Sequence, residues 1–562
     1  MNRKIIHIIL TLIMSIFIPS ACDNLLEEQA YDFISTEEVG DSEASADLLV
    51  YGTYNILCEG NFFRYGSYLY MTNMDADYTT GADWAFGNVG AGNPLEFWGF
   101  THLWSAPYSL IHRANLGISK IKNMPIADSI KNNALGELSF LKGWAYFQLV
   151  RNYGNVPLFK IGISEGEDPY QPRSSISDVY DHIIELLKFS ETNTYSVKNE
   201  KFIAGRASLE AAKTLLAKVY LTMASGALSN AVVTVKGGPA MEMISGVYKR
   251  VERPVSLDFT KEVVAGYESF DSRNYFNLAR EKALEVINTG YFDIYSNYMD
   301  TWKLENRNKG EIIWALQAIS GDNIFGNTIS RDYVGIFLPS GTIEGAWYGL
   351  REHWYELFED SDQRITQGVI HRWPTAIASS GDLVYYYFPA KDSIKVQNGE
   401  DGYEPTDLLN EGAGWYYAKL AKFENVTDRH LIQGDFSFPF LRYADVLLIF
   451  AEAENEYNNG PTGDAYQHLN YLRGKRSAST ITGLNQQQFR SFVIEERARE
   501  LAYEADRRYD LFRWGIYLQV MNAIDIDESG ILKRRLERNK LYPIPVEEIN
   551  ANDKIDSNNP GW

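Results

Sequence analysis

The stretch ALGELSFLKGWAYFQLVRNY, residues 134–153, decides the fold. Leu138, Leu141 and Ala145 recur three and four positions apart, which is the spacing of apolar residues on one face of an α-helix. Gly154 follows the last aromatic residue and is well suited to a helix C-cap. The stretch therefore predicts one long amphipathic helix in the N-terminal half of the chain.

Helical patterns continue on both sides of this stretch. Ser177-Asp178 and Ser208 are candidate N-caps for two later helices. Small and aromatic residues alternate in the later helices as they do in tetratricopeptide helix pairs, although no fixed period repeats. We expect a mainly α fold, a tetratricopeptide-like stack of helical hairpins, with helices over residues 37–57, 104–115, 134–153, 178–189, 208–224, 276–289, 442–458, 463–477, 486–505 and 507–520.

Two regions lack a helical pattern. Residues 60–101 are rich in Gly, Asn, Asp and aromatic residues, and residues 293–440 combine such residues with short β-like runs at Ile312–Leu316 and Leu383–Phe388. We interpret the second region as a large, irregular, loop-rich insertion. The predicted mature body is a single domain, residues 37–562, with an N-terminal part 37–292, a loop-rich middle 293–440 and a C-terminal helical part 441–562.

The N-terminus has the layout of an export signal. Arg3 and Lys4 precede an apolar run, Ile5–Pro19, which is too short to span a bilayer, and Ser20-Ala21 precede Cys22. A pair of small residues before a cysteine resembles the lipobox of bacterial lipoproteins, in which the cysteine is acylated. We predict a signal peptide over residues 1–21, lipidation of Cys22 and a flexible tether over residues 22–36. An ordinary secretory cleavage beside an unmodified cysteine is the alternative.

Composition argues against several classes of function. The chain has 53 Lys and Arg against 74 Asp and Glu, a net charge of −21, which disfavours nucleic acid and leaves a lipid anchor as the predicted membrane contact. Two cysteines provide no disulfide framework, and the eight histidines lack the spacing of a zinc site. We predict no cofactor, no metal ligand and no catalytic residue. Structural calcium stays an alternative at residues 73–77 and 525–530, which resemble parts of a calcium loop.

Different short sequence motifs follow one another along the chain in a specific order. They resemble those of the SusD/RagB family of Bacteroidota outer-membrane lipoproteins, and they lie at residues 137–147, 151–158, 205–207, 215–221, 442–453, 469–473, 496–501, 507–514, 542–549 and 558–562. The resemblance implies a SusD-like fold and a non-enzymatic binding protein, lipid-anchored at the outer membrane and facing the cell exterior. It also implies that the protein captures nutrients, most often oligosaccharides, for a SusC-like TonB-dependent transporter.

Aromatic residues of the two irregular regions form the predicted oligosaccharide site. A sugar ring presents an apolar C–H face that stacks on tryptophan or tyrosine, while carboxylates and amides bind its hydroxyls. The first irregular region contains several candidates, and Trp347 stands in the second, in a segment flanked by glycines. We predict that Asp75, Tyr78, Trp84, Trp98 and Trp347 bind the ligand.

Acidic residues of the C-terminal helices suggest a competing function. Glu496, Glu500 and Glu504 are four positions apart on one helical face, close in sequence to Arg497 and Arg507, which predicts a structural ion-pair network. A surface glycoside hydrolase is the alternative from another class, and it would need an acid and a second carboxylate across a cleft. A peptide ligand is the alternative within the binding class.

Overall fold

The computed structural model describes residues 39–562, apart from residues 59, 61, 64, 252, 378–382 and 390–416. The predicted signal peptide over residues 1–21, Cys22 and the tether over residues 22–36 lie outside the described residues. Helices dominate the described part of the chain and pack as a stack of helical hairpins. The predicted mainly α fold is confirmed.

The α-helices alternate with irregular segments along the chain. Numbered in chain order, they are α1 (Glu43–Cys58), α2 (Ser67–Met74), α3 (Asp83–Phe86), α4 (His102–Ile121), α5 (Asp128–Tyr153), α6 (Ile176–Asn193), α7 (Leu209–Ala227), α8 (Ser272–Ile287), α9 (Ile329–Val334), α10 (Glu352–Tyr355), α11 (Gln363–Thr366), α12 (Tyr443–Tyr457), α13 (Gly463–Lys475), α14 (Gln486–Glu500), α15 (Arg507–Arg513), α16 (Tyr517–Ile524) and α17 (Val546–Ala551). Within the described ranges, no helix has both the length and the apolar character needed to cross a bilayer.

Helices that follow each other pack side by side. α1 packs against α4, and each helix from α4 to α8 packs against the next. α8 also packs against α12, which contacts α13 and α14, so the N-terminal and C-terminal helices form one stack. Every residue of α5 from Gly136 to Tyr153 is buried. The prediction of a one-sided amphipathic helix is therefore wrong, because α1, α4 and α6 cover α5 on several sides.

Capping residues set several helix ends. Gly154 ends α5 with a φ of 69°, as predicted from its position. The hydroxyl of Ser208 caps the first turn of α7, which is also as predicted. For α6 the predicted cap is two residues too late, because Ser175, and not Ser177, accepts the hydrogen bond from the Asp178 N–H at 3.1 Å.

The C-terminal helices are shorter than their sequence pattern predicts. The predicted helix over residues 507–520 is divided into α15 and α16 at Gly515, where φ is 60° and a Cβ atom would lie 2.0 Å from the Glu262 carbonyl oxygen. The predicted helix over residues 486–505 ends at Glu500, and the turn after it holds Tyr503 at a φ of 57°. A tertiary contact and a local turn set these ends, and neither changes the periodicity of the sequence.

Short strands connect the helical stack to the loop-rich middle. They are β1 (Thr79–Gly81), β2 (Val156–Pro157), β3 (Arg173–Ser174), β4 (Val232–Gly237), β5 (Met241–Ile244), β6 (Val247–Arg250), β7 (Val255–Thr260), β8 (Ile312–Ala315), β9 (Ile336–Phe337), β10 (Ile343–Glu344), β11 (Tyr348–Arg351), β12 (Val369–Ile370), β13 (Arg372–Ile377), β14 (Leu383–Tyr387), β15 (Tyr417–Leu420) and β16 (Pro439–Arg442). The predicted β-like runs correspond to β8 and β14. The sequence pattern missed the pairs β4–β7 and β5–β6 and the four-stranded sheet with the order β1-β11-β15-β12.

A buried set of ion pairs joins α14 to the loop-rich middle. Carboxylate oxygens of Glu500 lie 2.8 Å from Arg476, 3.1 Å from Arg442 and 3.1 Å from Arg364. We call this set the buried ionic network; it comprises Glu311, Arg364, Lys422, Arg442, Arg473, Arg476, Glu496, Arg499, Glu500 and Glu504. The predicted ion-pair role of Glu496, Glu500 and Glu504 is confirmed.

The partners of these glutamates differ from the nearby arginines that the sequence indicated. Arg497 pairs instead with Asp510 at 2.8 Å, and Arg507 pairs with Asp77 at 2.7 Å. Burial alone would raise the pKa of Glu500, but the surrounding arginines outweigh burial and hold that pKa below its ordinary value. Chain segments far apart in sequence supply these arginines, so the network is a tertiary feature.

Candidate functional site

A cavity of about 340 Å³ opens between α2, α3, α9 and the segment that precedes β11. Aromatic rings make up most of its wall, and few polar side chains reach it. We call it the aromatic groove; its aromatic residues are Tyr65, Tyr70, Trp84, Phe97, Trp98, Tyr333, Trp347 and Tyr348. Its size is that of a small-ligand site, and ring faces are the surface that such ligands stack on.

The three tryptophans predicted from the sequence meet in this groove. Trp84 and Trp98 are 68% and 62% exposed, which is unusual for so large an aromatic side chain. The ring centroids of Trp84 and Trp347 lie 5.0 Å apart at an interplanar angle of 74°. Trp98 faces Tyr65 at 6.5 Å and 71° on another part of the wall. Large rings that are exposed and mutually oriented form a ready surface for a ligand.

Strand pairing brings the two irregular regions together. β1 pairs with β11 in antiparallel register, with Gly81 opposite Tyr348. The N–H of Ala82 donates to the Trp347 carbonyl oxygen at 3.0 Å, which continues the pairing beyond the strands. A Cβ atom on residue 81 would lie 2.4 Å from that oxygen, so glycine is required there. The segment that carries Trp84 is thereby fixed beside Trp347.

The turn before β11 sets the orientation of Trp347. The N–H groups of Ala346 and Trp347 donate to the carbonyl oxygens of Arg331 and Asp332, both at 2.8 Å. Gly345 has a φ of 97°, and a Cβ atom on it would lie 2.2 Å from the Arg331 carbonyl oxygen. Helix α9 therefore serves as the template on which this turn is built.

One ion pair is the main polar feature of the groove. The Nε and Nη2 atoms of Arg331 lie 3.0 and 2.9 Å from Asp332 Oδ1, and the Thr328 hydroxyl donates to Asp332 Oδ2 at 2.6 Å. The guanidinium also lies over the Trp347 ring, 5.0 Å from its centroid. Burial raises the pKa of Asp332, against the opposite effect of Arg331. Sequence reasoning missed both charged residues, because nothing local distinguishes them within the loop-rich middle.

Asp75 and Tyr78 do not line the aromatic groove, in contrast to their predicted role. Asp75 is 2% exposed, and its carboxylate is 2.9 Å from Arg535 and 3.1 Å from Arg508. Tyr78 is also 2% exposed, and its hydroxyl donates to the Lys236 carbonyl oxygen. Both are interior residues with protein partners, so a ligand at the surface does not reach them in this structure.

The two acidic runs considered for calcium are engaged by protein groups. Asp527 Oδ1 accepts from the Ile531 N–H at 2.9 Å, and its Oδ2 accepts from the Thr80 hydroxyl at 2.8 Å. Glu528 pairs with Arg351 at 2.7 Å. Over the described ranges, no group of three or more His, Cys, Asp or Glu residues is arranged to hold a metal ion. These carboxylates therefore act as internal hydrogen-bond acceptors and ion-pair partners.

Two family models match the chain. The model described as the SusD family matches residues 348–562. The model described as starch-binding associating with outer membrane matches residues 36–221. Together they account for well over half of the chain, and they include most of the helices of the stack.

Known proteins resemble the chain over nearly its whole length. A SusD-like protein of Formosa agariphila is 24% identical over 592 residues, which cover 99% of each chain. The structure of a SusD homolog from Bacteroides thetaiotaomicron has a TM-score of 0.73 and 21% identity, with 94% of this chain and 98% of that chain covered. A laminarin-binding SusD-like protein has a TM-score of 0.63 and 19% identity, with 92% and 99% covered. The chain belongs to the SusD/RagB family.

Proposed function

We propose that this protein captures oligosaccharides at the cell surface and delivers them to a SusC-like TonB-dependent transporter in the outer membrane. The observation that carries the proposal is the aromatic groove, in which Trp84 and Trp98 line the same cavity as Trp347, which is distant from both in sequence. Exposed tryptophans cost solubility without adding to the core. A binding role accounts for their exposure.

The chemistry of the groove suits a sugar. The apolar C–H face of a pyranose stacks on an indole ring, and each such contact contributes roughly 0.5–1.5 kcal/mol. The Asn88 side chain and the Arg331 guanidinium offer N–H donors at the same cavity. One related structure is named for laminarin binding, and one matching family model is described as starch-binding, which supports a glycan as the ligand class.

Binding without turnover fits the groove better than hydrolysis does. Glycosidases of the usual kind need two carboxylates on opposite sides of the scissile bond. Among the described residues that line the groove, Asp332 is the one carboxylate, and Arg331 and Thr328 already engage it. If purified protein at trace amounts released reducing sugars from a bound glycan, the proposal of a binding protein would be wrong.

Attachment to the outer membrane is part of the proposal. The lipobox-like sequence before Cys22 and the family model described as associating with outer membrane support it. Replacement of Cys22 by Ala is expected to release the protein from the membrane fraction and to leave its glycan affinity unchanged. Fractionation of the producing cells followed by calorimetry on the released protein tests both parts, and a variant that stays membrane-bound contradicts the anchor.

The ligand is found by a screen of polysaccharides with the soluble chain that begins after Cys22. Affinity electrophoresis or isothermal calorimetry with starch, laminarin and xyloglucan is expected to reveal binding that the triple variant Trp84→Ala/Trp98→Ala/Trp347→Ala loses. Co-purification of the anchored protein with a TonB-dependent transporter tests the partner. Binding that the triple variant retains in full would show that the ligand uses another surface.

A further inference from the structure

We propose that the aromatic groove selects uncharged oligosaccharides and rejects acidic ones, because the Arg331–Asp332 ion pair leaves no uncompensated cation among the groove residues that the structure describes. This inference rests on the proposed function and adds the class of ligand to it. Among the described residues that line the groove, Arg331 and Asp332 are the only charged ones, and they carry opposite charges. The wall is otherwise aromatic, aliphatic or amide.

Arg331 is neutralised within the protein. Two of its nitrogen atoms, Nε and Nη2, lie 3.0 and 2.9 Å from the same carboxylate oxygen of Asp332. The guanidinium plane is further constrained by the Trp347 ring, whose centroid is 5.0 Å away. An arginine held in this way offers its remaining N–H groups to a neutral hydroxyl, while its charge is already compensated.

Asp332 is held in place and cannot leave the arginine when a ligand enters. It is 6% exposed, and its second oxygen accepts the Thr328 hydroxyl at 2.6 Å. Its backbone carbonyl oxygen accepts the Trp347 N–H at 2.8 Å, so the residue is also part of the template of the turn. An acidic sugar that approached Arg331 would therefore meet a fixed negative charge beside it.

Electrostatic energies favour a neutral ligand under these conditions. A uronate or sulfate loses its hydration when it enters the groove, and without an unpaired cation that loss is not offset. The net charge of −21 for the whole chain adds a weaker, salt-screened repulsion. A neutral pyranose exchanges hydroxyl–water hydrogen bonds for hydroxyl–protein ones and keeps its stacking energy.

The first test compares neutral with acidic polysaccharides at low ionic strength. Starch, laminarin and xyloglucan form the neutral set, and alginate, polygalacturonate and carrageenan form the acidic set. We expect binding within the neutral set alone. Binding to acidic members alone, or equally to both sets, overturns the inference and leaves glycan capture standing. Absence of binding to all six overturns the inference and the proposed function together.

The second test changes the charge of the groove by one unit. The ligand is starch or laminarin, whichever binds, in two modified forms. One form carries carboxymethyl groups, which are charged, and the other carries the same number of hydroxyethyl groups, which are neutral and control for size. For the unmodified protein we expect affinity for the carboxymethyl form to be about tenfold lower, the scale of one uncompensated charge a few ångströms away. Asp332→Asn should reduce the ratio of hydroxyethyl to carboxymethyl affinity, and Arg331→Gln should increase it.

Glu344→Gln is the matched control for Asp332→Asn. Glu344 is an exposed carboxylate in β10 that does not line the groove, so its neutralisation changes the net charge as much as Asp332→Asn does and should leave the affinity ratio unchanged. Thermal melting establishes that each variant is folded. The two groove variants change the affinity ratio in opposite directions, so the test still works if one of them fails to fold. A ratio that moves equally in Glu344→Gln and Asp332→Asn, or in neither groove variant, contradicts the inference.

Discussion

The aromatic groove and the buried ionic network differ in which side chains they contain and in how far solvent reaches them. The network surrounds Glu500 with three arginines, and solvent reaches none of these side chains appreciably. The groove exposes Trp84 and Trp98 to solvent, and its described lining contains one ion pair, Arg331–Asp332. In the network each charged side chain lies within ion-pair distance of an opposite charge of the protein, whereas the groove exposes the rings of Trp84 and Trp98 to solvent.

Their positions in the sequence differ in the same way. Glu496 and Glu500 of the network lie on α14, whose regular spacing indicated ion pairs, and that indication was right. The tryptophans of the groove come from segments whose sequence shows no helical or strand period. Regular patterns therefore located the framework, and exposed aromatic residues in irregular segments located the candidate site. The following experiments test whether the two regions are as independent as this comparison implies.

The largest effect is expected from Glu500→Ala. Removal of this carboxylate leaves three buried arginines with fewer partners, which lowers the free energy of unfolding by about 3–5 kcal/mol. Urea denaturation measures it. Glu285→Ala is the matched control, because Glu285 pairs with Lys213 at 2.7 Å on the surface and should cost less than about 1 kcal/mol. Equal losses in the two variants would contradict the structural role of the network.

Acidification should destabilise the protein through the same network. The arginines hold the folded-state pKa of Glu496 and Glu500 below the ordinary value near 4.5, so the unfolded chain binds protons first as the pH falls. The stability that these groups contribute is present above pH 4.5 and is lost progressively below it, by roughly 1.4 kcal/mol for each pKa unit and group.

Urea denaturation between pH 7 and pH 3 measures this loss. Glu500→Gln is expected to have a smaller dependence on pH over the acidic part of the range, because it no longer takes up that proton. If the free energy of unfolding fell with pH equally in the variant and in the parent protein, the pKa of Glu500 would not be lowered by its arginine partners.

Trp84→Ala and Trp347→Ala test the groove itself. Each should weaken binding of the glycan identified by the screen by at least about 1 kcal/mol, the scale of an aromatic contact, and should leave the unfolding transition nearly unchanged for the exposed Trp84. Tyr170→Ala is the control, because Tyr170 is 51% exposed and lies outside the groove. Unchanged affinity in both tryptophan variants would exclude these two rings from the site.

The smallest effect is expected from Tyr503→Phe, which tests the connection between the two regions. The Tyr503 hydroxyl donates to the Gly349 carbonyl oxygen in β11 and lies 3.4 Å from the Thr80 carbonyl oxygen in β1. Loss of this buried hydroxyl should lower stability by about 1 kcal/mol. Calorimetry should find a change in glycan affinity of less than about 0.5 kcal/mol. A larger change would show that ligand binding in the groove depends on the turn after α14 that carries Tyr503.

Much of the fold was predictable from the sequence because its signals are local. The helical conformation of residues 134–153 and the ion pairing of Glu496 and Glu500 follow from residue spacing, and the cap at Gly154 follows from residue type. The long-range partners of those glutamates were not predictable. Arg364 and Arg442 come from other elements, and one sequence without pairing information does not indicate which cation reaches which anion.

The candidate site was predictable in part for a related reason. Trp84, Trp98 and Trp347 could be chosen because a tryptophan in an irregular, glycine-rich segment is a common ligand surface. Asp75 and Tyr78 could not be distinguished from them, because a residue in the same kind of segment can equally face the interior. Arg331 and Asp332 were missed, since their importance depends on the turn they hold and on the ring above them.

The sequence by itself determined the mainly helical stack, the family and the aromatic residues available for a ligand, since periodicity, ordered motifs and residue type are properties of the linear chain. The tertiary structure alone decided which aromatics share a cavity, which carboxylates are buried, and that one ion pair balances the charge of the groove. The pairing of β1 with β11 brings residues 81 and 348 into contact, and contacts over such a separation depend on packing that no local pattern encodes.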